Sequence, residues 1–184
     1  PLAGYTVRGF EWYQGESDAW GFARAMQYYT LLPTLVRDWR SRWDAPDAPF
    51  LVVQLPGWPV KGGDRPRQPA PWNFVQDAQR STVDSLADMA LAVTIDVREP
   101  DIHPKQKAIV GERLCQAARA IAYGRDVVPS GPAWRRAEFA GDGTVRLHFD
   151  HVGKGLTVGG GLLPEGGKLR GFAVAGADRY FHWA

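Results

Sequence analysis

The sequence predicts an α/β protein with a three-layer, doubly wound parallel sheet, followed by a small β region. Strand-like and helix-like stretches alternate through residue 123, which is the order expected when helices connect parallel strands. The run "FLVVQL" at residues 50–55 is almost continuously apolar, as in a strand buried on both faces. Beyond residue 127, glycines and short alternating runs replace this pattern.

The first predicted strand and helix lie within residues 6–43. Residues 6–13, "TVRGFEWY", alternate and are rich in aromatic and β-branched types, so they predict a strand. Residues 18–43 predict a helix, and Pro33 is expected to interrupt it or to begin a second one. Its apolar residues recur every three or four positions and predict one buried stripe: Tyr28, Leu31, Leu32, Leu35, Val36, Trp39 and Trp43.

The remaining elements of the first part continue the alternation. Residues 73–86 predict a helix, and residues 89–96, "MALAVTID", predict a buried strand. Residues 105–123 predict a further helix that ends at Gly124 as its cap. Residues 56–71 have no period and form a long loop, which is typical of functional or disordered segments.

The chain is expected to divide near residues 125–132. We assign residues 1–126 to the sheet domain and residues 127–184 to a β-rich accessory region. Within the second part, "AEFAGDGTVRLHFDHV" predicts a hairpin that turns at Asp142 and Gly143.

Composition argues against several functional classes. The formal net charge is only +2 and the basic residues are scattered, which does not favour a nucleic-acid partner. No apolar run reaches the length of a membrane span, so no membrane partner is predicted. Cys115 is the only cysteine, which prevents an internal disulfide, and we expect it to pack as a small apolar residue. The four histidines lack metal-ligand spacing, so no metal site is predicted.

Polar residues cluster in the loops that follow the predicted strands. In a doubly wound sheet the carboxyl ends of the strands meet at one edge, where ligands bind. The loops in question are residues 14–18, 56–71 and 96–104. They carry an amide, a backbone donor, two acids and an imidazole: Gln14, Gly15, Glu16, Asp101 and His103. Such groups suit acyl transfer, with His103 as general base, but they lack a nucleophile.

Ser17 admits two interpretations. The sequence Gly15-Glu16-Ser17-Asp18-Ala19 nearly matches the G-x-S-x-G block of a nucleophile elbow, except that alanine replaces the last glycine. In that case Ser17 attacks and His103 is its base. The alternative, which we favour, is that Ser17 caps the helix that follows, because serine satisfies free N–H groups at helix N-termini.

Two long motifs carry a family resemblance. "WYQGESDA" and "AVTIDVREPDIHPKQKAIVGERL" occur in that order, with "FLVVQL", "DAQR", "FDHVGKGL" and "LRGFAVAGAD" between and after them. Together they resemble the sialate O-acetylesterase-like carbohydrate esterases, a branch of the SGNH hydrolases. The resemblance covers nearly the whole chain and corresponds to the C-terminal portion of such an enzyme. It implies an incomplete SGNH-like sheet followed by an incomplete β region.

The resemblance also implies roles for individual residues. Family members remove acetyl groups from sugars with a serine nucleophile, a histidine from the "IHP" block and oxyanion donors from the "QGE" block. Carried onto this sequence, His103 becomes the base, and Gln14 and Gly15 become oxyanion donors. The family commonly shows D-x-x-H, whereas Pro100 lies three residues before His103 and Asp101 lies two before it. Either Asp101 or Glu16 therefore orients the imidazole, and we favour Asp101.

The function predicted on these grounds is that of a carbohydrate O-acetylesterase without a cofactor. The nucleophilic serine is expected in an N-terminal segment outside this chain, and that segment and an acetylated carbohydrate are the expected partners. The sugar stays open among sialic acid, xylan and xyloglucan. The alternatives are a hydrolase with Ser17 as nucleophile and a carbohydrate-binding protein without activity. The resemblance suggests a secreted or periplasmic protein.

Overall fold

A computed structural model describes residues 2–57, 69–97, 101–157 and 171–184. These residues form a mixed α/β protein in two compact units, one ending at Ser130 and the other beginning at Gly131. The predicted loop at residues 56–71 lies largely outside the described residues, as does the glycine-rich run "LTVGGG" at residues 156–161 of the predicted β region. The assignment of residues 1–126 and 127–184 to separate functional domains stays a prediction.

The first unit is built on a parallel sheet of three strands. Its strands are β1 (Phe10–Trp12), β2 (Phe50–Val53) and β3 (Met89–Ala92), in the order β1-β2-β3. Phe10 lies opposite Phe50, and Phe50 lies opposite Met89. All three strands are shorter than the sequence predicts: β1 begins four residues later and ends one residue earlier, β2 ends two residues earlier and β3 ends four residues earlier.

Three helices cover both faces of this sheet and produce the predicted three layers. They are α1 (Phe22–Arg42), α2 (Pro71–Ser85) and α3 (Lys107–Ile121). Side chains alternate along β2, so Phe50 and Val52 face α1 and α2 while Leu51 and Val53 face α3. The strand is buried along its whole length, as its uninterrupted apolar run predicts.

Helix α1 differs from the prediction at two positions. Pro33 lies inside a continuous 21-residue helix, so the expected interruption is wrong. An interior proline costs about 3 kcal/mol, and burial of the stripe on either side of it offsets that cost. Leu31 is 53% exposed and lies outside the stripe, whereas Tyr28, Leu32 and Val36 are buried as predicted.

Arg40 is a buried residue of α1 that the apolar pattern does not reveal. It lies four residues after Val36 and is only 9% exposed. Its guanidinium donates to the carbonyl oxygens of Ala48 (3.0 Å), Ala87 (2.8 Å) and Asp88 (3.2 Å), which precede β2 and β3. Helix α1 therefore holds the starts of two strands through one side chain.

Cys115 of α3 is exposed, so the prediction that it packs as a small apolar residue is wrong.

The second unit consists of two antiparallel strand pairs. Strands β4 (Ala133–Phe139) and β5 (Val145–Asp150) form the predicted hairpin, and β6 (Ala173–Ala175) pairs with β7 (Phe181–Trp183). In the hairpin turn the Asp142 carboxylate accepts the Thr144 N–H at 2.9 Å, and Gly143 has a φ of 84°. Among the described residues, no helix has both the length and the apolar character that a bilayer span requires.

Candidate active site

The carboxyl ends of β1 and β2 are joined by one buried amide from α2. Gln79 is fully buried, and its Nε2 donates to the Gln14 carbonyl oxygen at 3.0 Å. Its Oε1 accepts the backbone N–H of Leu55 at 2.9 Å. A buried amide whose donor and acceptor are both used holds its partners in one arrangement. The loop after β1 is thereby fixed to the end of β2.

A second set of bonds fixes the end of β2 to β3. The Gln54 N–H donates to the Ala92 carbonyl at 3.0 Å, and the Thr94 hydroxyl donates to the Gln54 carbonyl at 2.5 Å. Gln76 of α2 donates to the Leu55 carbonyl at 2.8 Å. These buried contacts make the edge where the three strands end rigid, as a catalytic site requires.

The Gln14 side chain lies in a hydrogen-bonded chain that the sequence does not reveal. Trp12 Nε1 donates to the Tyr28 hydroxyl at 3.0 Å, and that hydroxyl lies 2.9 Å from the Gln14 carbonyl oxygen and 3.1 Å from Gln14 Oε1. Gln14 Nε2 in turn donates to the Asp18 carboxylate at 2.8 Å. The sequence predicts Tyr28 only as a core residue and Asp18 only as part of a helix start. Burial raises the pKa of Tyr28 to about 12, so its hydroxyl keeps its proton at neutral pH.

Gly15 takes a backbone conformation that other residues rarely adopt. Its φ is 142°, and a Cβ built on it would lie 2.8 Å from a methyl group of Val75. Glycine is therefore required here both by the dihedral angle and by the close approach of α2. Within the described ranges, its N–H donates no hydrogen bond. This leaves a fixed backbone donor at the carboxyl end of β1.

Glu16 is half-buried beside Gln14 and Gly15. Burial and then the charge of Glu16 raise the pKa of Tyr13. Considering the described part of the chain, no hydrogen bond or ion pair joins Glu16 to His103. The structure thus places Glu16 in the loop after β1 without joining it to the candidate base.

His103 and Asp101 lie together in the loop after β3. The Asp101 carboxylate accepts the backbone N–H of His103 at 2.9 Å, and this bond is the main reason that the pKa of Asp101 is lowered. His103 Nδ1 lies 3.5 Å from the same carboxylate oxygen, beyond the usual length of a hydrogen bond. Both side chains are exposed, at 80% for His103 and 55% for Asp101. The two residues are neighbours, but the carboxylate is engaged mainly by the backbone.

One contact joins the start of α3 to the end of β1. Lys107 begins α3, and its ammonium lies 4.7 Å from the centre of the Tyr13 ring. Tyr13 directly precedes Gln14 and packs against the core formed by Val53, Ala92 and Val110. A cation over an aromatic face is attracted by about 0.5–1 kcal/mol at an exposed site. The start of α3, four residues after His103, is therefore tied to the end of β1.

The structure corrects the predicted role of Ser17. Ser17 precedes a single 3-10 turn (Asp18–Trp20), but its side chain makes no capping hydrogen bond, so the cap prediction is wrong. Ser17 is exposed, with a φ of −67° and a ψ of −27°, which is ordinary helical geometry. A nucleophile elbow holds its serine in a strained turn, whereas here the unusual dihedral belongs to Gly15.

Asp96, the next carboxylate after β3, is engaged elsewhere. Its two oxygens each accept a bond of 2.6 Å from the guanidinium of Arg113 on α3. This bidentate pair occupies the carboxylate in a fixed geometry. Asp96 is thus bound to α3.

Known proteins resemble this chain in sequence and in fold. The sequence model of the carbohydrate esterases described as sialic acid-specific acetylesterases matches residues 2–120. Sialate O-acetylesterase from Mus musculus is 32% identical over 165 residues, which cover 82% of this chain and 30% of the mouse protein. The Homo sapiens protein of the same name is 30% identical over 152 residues, covering 75% of this chain and 29% of the human protein.

A solved structure agrees with these sequence matches. The crystal structure of a carbohydrate acetylesterase from Xanthomonas citri superposes with a TM-score of 0.80 at 36% identity. The match covers 100% of this chain and 40% of the Xanthomonas protein, so the chain spans well under half the length of its relatives. The motifs, the parallel sheet and these matches agree, and the chain belongs to the sialic acid-specific acetylesterase family of carbohydrate esterases.

Proposed function

We propose that this chain contributes the base and the oxyanion donors of a carbohydrate O-acetylesterase. In this proposal His103 is the general base, and Gln14 and Gly15 bind the acyl oxygen as negative charge develops on it. Asp101 orients the imidazole, with Glu16 as the other candidate. The nucleophilic serine lies on a segment outside residues 1–184, and the substrate is an acetylated sugar, either sialic acid or a plant polysaccharide such as xylan or xyloglucan.

The observation that carries the proposal is the presence of unused N–H donors on a rigid loop. Gln14 uses one amide N–H on Asp18, and in the residues that the structure describes the other has no partner. The Gly15 N–H is likewise unused there. Donors fixed in advance toward a developing oxyanion are worth roughly 3 kcal/mol each in other hydrolases. A protein that only bound sugars would not need to hold such donors free of internal partners.

The mechanism follows from these roles. The serine attacks the acetyl carbonyl while His103 takes its proton, and the oxyanion forms against the N–H groups of Gln14 and Gly15. Collapse of the tetrahedral intermediate releases the sugar, whose oxygen takes the proton from His103. Water then repeats these steps on the acetyl-enzyme, and acetate leaves.

Two features support an external segment as the source of the serine. Strand β1 lies at one side of the described sheet, and its outer edge is free to pair with a further strand. A groove of about 370 Å³ adjoins it, lined by residues that include Arg8, Phe10, Leu51 and Tyr123. Ser17, the serine of the loop after β1, is exposed and has ordinary helical dihedral angles.

The test is to assay acetyl ester hydrolysis by residues 1–184 alone and with the preceding segment of the same protein. We expect turnover only when both are present. Activity of the chain by itself, abolished by Ser17→Ala, would contradict the proposal in favour of Ser17 as nucleophile. If Ser17→Ala and His103→Ala both kept full activity, both mechanisms would be contradicted.

A further inference from the structure

We infer that Tyr28 and Asp18 are positioning residues that fix which end of the Gln14 amide faces the substrate. The inference rests on the proposed function, in which Gln14 acts as a hydrogen-bond donor. The two ends of a glutamine amide have nearly the same shape but opposite hydrogen-bonding character. An amide turned by 180° would present an acceptor to the acyl oxygen and would oppose its negative charge.

The bond from Trp12 decides the direction at one end of the amide. An indole N–H can only donate, so the Tyr28 oxygen accepts from Trp12 Nε1 at 3.0 Å. The Gln79 amide is a second donor to this oxygen, and both hydrogen bonds act to lower the pKa of Tyr28. With both acceptor sites of the oxygen used, the hydroxyl proton of Tyr28 is directed to the two oxygens of Gln14, the carbonyl at 2.9 Å and Oε1 at 3.1 Å. Tyr28 is 3% exposed, so water does not compete for these bonds. Tyr28 therefore selects the oxygen end of the Gln14 side chain.

Asp18 makes the same selection at the other end. An ionised carboxylate can only accept, and its Oδ2 lies 2.8 Å from Gln14 Nε2. A reversed amide would bring Gln14 Oε1 against this carboxylate, which is repulsive. The contacts at both ends of the Gln14 amide favour the orientation with Oε1 at Tyr28 and Nε2 at Asp18. That orientation leaves one N–H of Nε2 unused within the described residues.

The backbone of Gln14 is held independently of its side chain. Gln79 Nε2 donates to the Gln14 carbonyl at 3.0 Å, and Gln79 is fully buried. Changes at Asp18 should therefore alter the direction of the amide without releasing the loop. This separation makes positioning distinguishable from simple loss of structure.

Because Asp18 is negatively charged, the direction in which Asp18→Asn changes turnover distinguishes an effect of charge from an effect of amide orientation. A carboxylate near a developing oxyanion opposes it, so its removal should raise turnover if charge alone mattered. If orientation matters more, Asp18→Asn should lower turnover, because asparagine can donate as well as accept and no longer excludes the reversed amide. The two effects predict opposite results for one nearly isosteric substitution.

The experiment uses the protein that carries both this chain and the serine-bearing segment, with para-nitrophenyl acetate as the probe. We expect Asp18→Asn and Tyr28→Phe each to lower kcat about tenfold with little change in KM, since loss of a whole oxyanion donor costs roughly 100- to 1,000-fold. Tyr29→Phe is the matched control. Its hydroxyl bonds to exposed Asp77 at 2.7 Å, outside the site, so its kcat should stay unchanged.

A double-mutant cycle with Gln14→Ala completes the test. If Asp18 and Tyr28 act through the amide, their substitutions should no longer change kcat once Gln14 is alanine. Equal losses in both backgrounds, or a higher kcat in Asp18→Asn, would overturn the inference and leave the role of Gln14 standing. An unchanged kcat in Gln14→Ala itself would overturn both. Because Tyr28 is buried and Asp18 is partly exposed, Asp18→Asn gives the answer even if Tyr28→Phe unfolds.

Discussion

Removal of the His103 imidazole tests the proposed base at the scale of a single residue. We expect His103→Ala to lower hydrolysis of an activated acetyl ester at least about a thousandfold, as loss of a triad base does. Folding should survive, because the side chain is 80% exposed. His182→Ala is the control, since His182 is exposed on β7 in the second unit. A rate near that of the unchanged protein would remove His103 from the mechanism.

The orienting carboxylate is a second question at this scale. Asp101 lies 3.5 Å from His103 Nδ1, whereas Glu16 has no bond to His103 among the described residues. We therefore expect Asp101→Asn to lower kcat more than Glu16→Gln does, measured in parallel on the same ester. The reverse order would assign the role to Glu16. If neither variant loses activity, Asp96 becomes the next candidate, although Arg113 already binds both of its oxygens.

Gly15 provides a test of backbone geometry. Alanine here would meet Val75 at 2.8 Å and would adopt a φ of 142°, so we expect Gly15→Ala to destabilise the protein by about 2 kcal/mol. Turnover should fall as well, because the N–H of this residue is a proposed oxyanion donor. Gly21→Ala is the control, since nothing lies within 4 Å of a Cβ there and its φ is −163°. Denaturant unfolding measures the difference, and equal stability of the two variants would contradict the assigned strain.

At the scale of elements, Arg40 links α1 to the starts of two strands. Arg40→Ala would leave the carbonyl groups of Ala48, Ala87 and Asp88 without this donor, at a cost of about 3 kcal/mol. Arg42→Ala should cost far less, because Arg42 is exposed and its pair with Asp38 one turn earlier is a surface ion pair. Urea unfolding of both variants distinguishes them. Similar losses would mean that Arg40 contributes little through its hydrogen bonds.

The elements also show what the sequence can and cannot predict. The run at residues 50–55 identifies β2 because burial on both faces removes polar residues from a strand. Pro33 misleads because local propensity weighs less than the packing of a long apolar stripe. The motif at residues 14–16 points to the candidate site, but the bonds of Gln14 to Tyr28 and Gln79 span 14 and 65 residues. No local pattern specifies such pairs, since they arise only when the sheet assembles.

At the scale of the whole molecule, the buried tyrosine predicts how stability depends on pH. The pKa of Tyr28 is raised to about 12, chiefly by burial, while an exposed tyrosine in the unfolded chain titrates near 10. The folded state thus retains a proton that the unfolded state loses, so this contribution is full below about pH 10 and disappears as pH rises through about 12. We expect the free energy of unfolding to fall by roughly 2 kcal/mol over this range on account of Tyr28.

Urea unfolding at alkaline pH checks this expectation. Tyr28→Phe should show a smaller decline between pH 10 and pH 12 than the unchanged protein, whatever its stability at neutral pH. Tyr5→Phe serves as control, because Tyr5 is 70% exposed. A decline of equal size in Tyr28→Phe would show that other groups are responsible.

The placement of α3 on the face opposite α1 and α2 has a consequence for where any ligand must enter. Helices α1 and α2 follow β1 and β2 and cover one face of the sheet as the chain advances from β1 to β3, whereas α3 follows β3 and covers the other face. If a further strand paired with the outer edge of β1, the strand order along the sheet would change direction at β1. Loops on the two sides of such a reversal diverge and leave a crevice at the strand's carboxyl end. Gln14 and Gly15 would form the floor of that crevice.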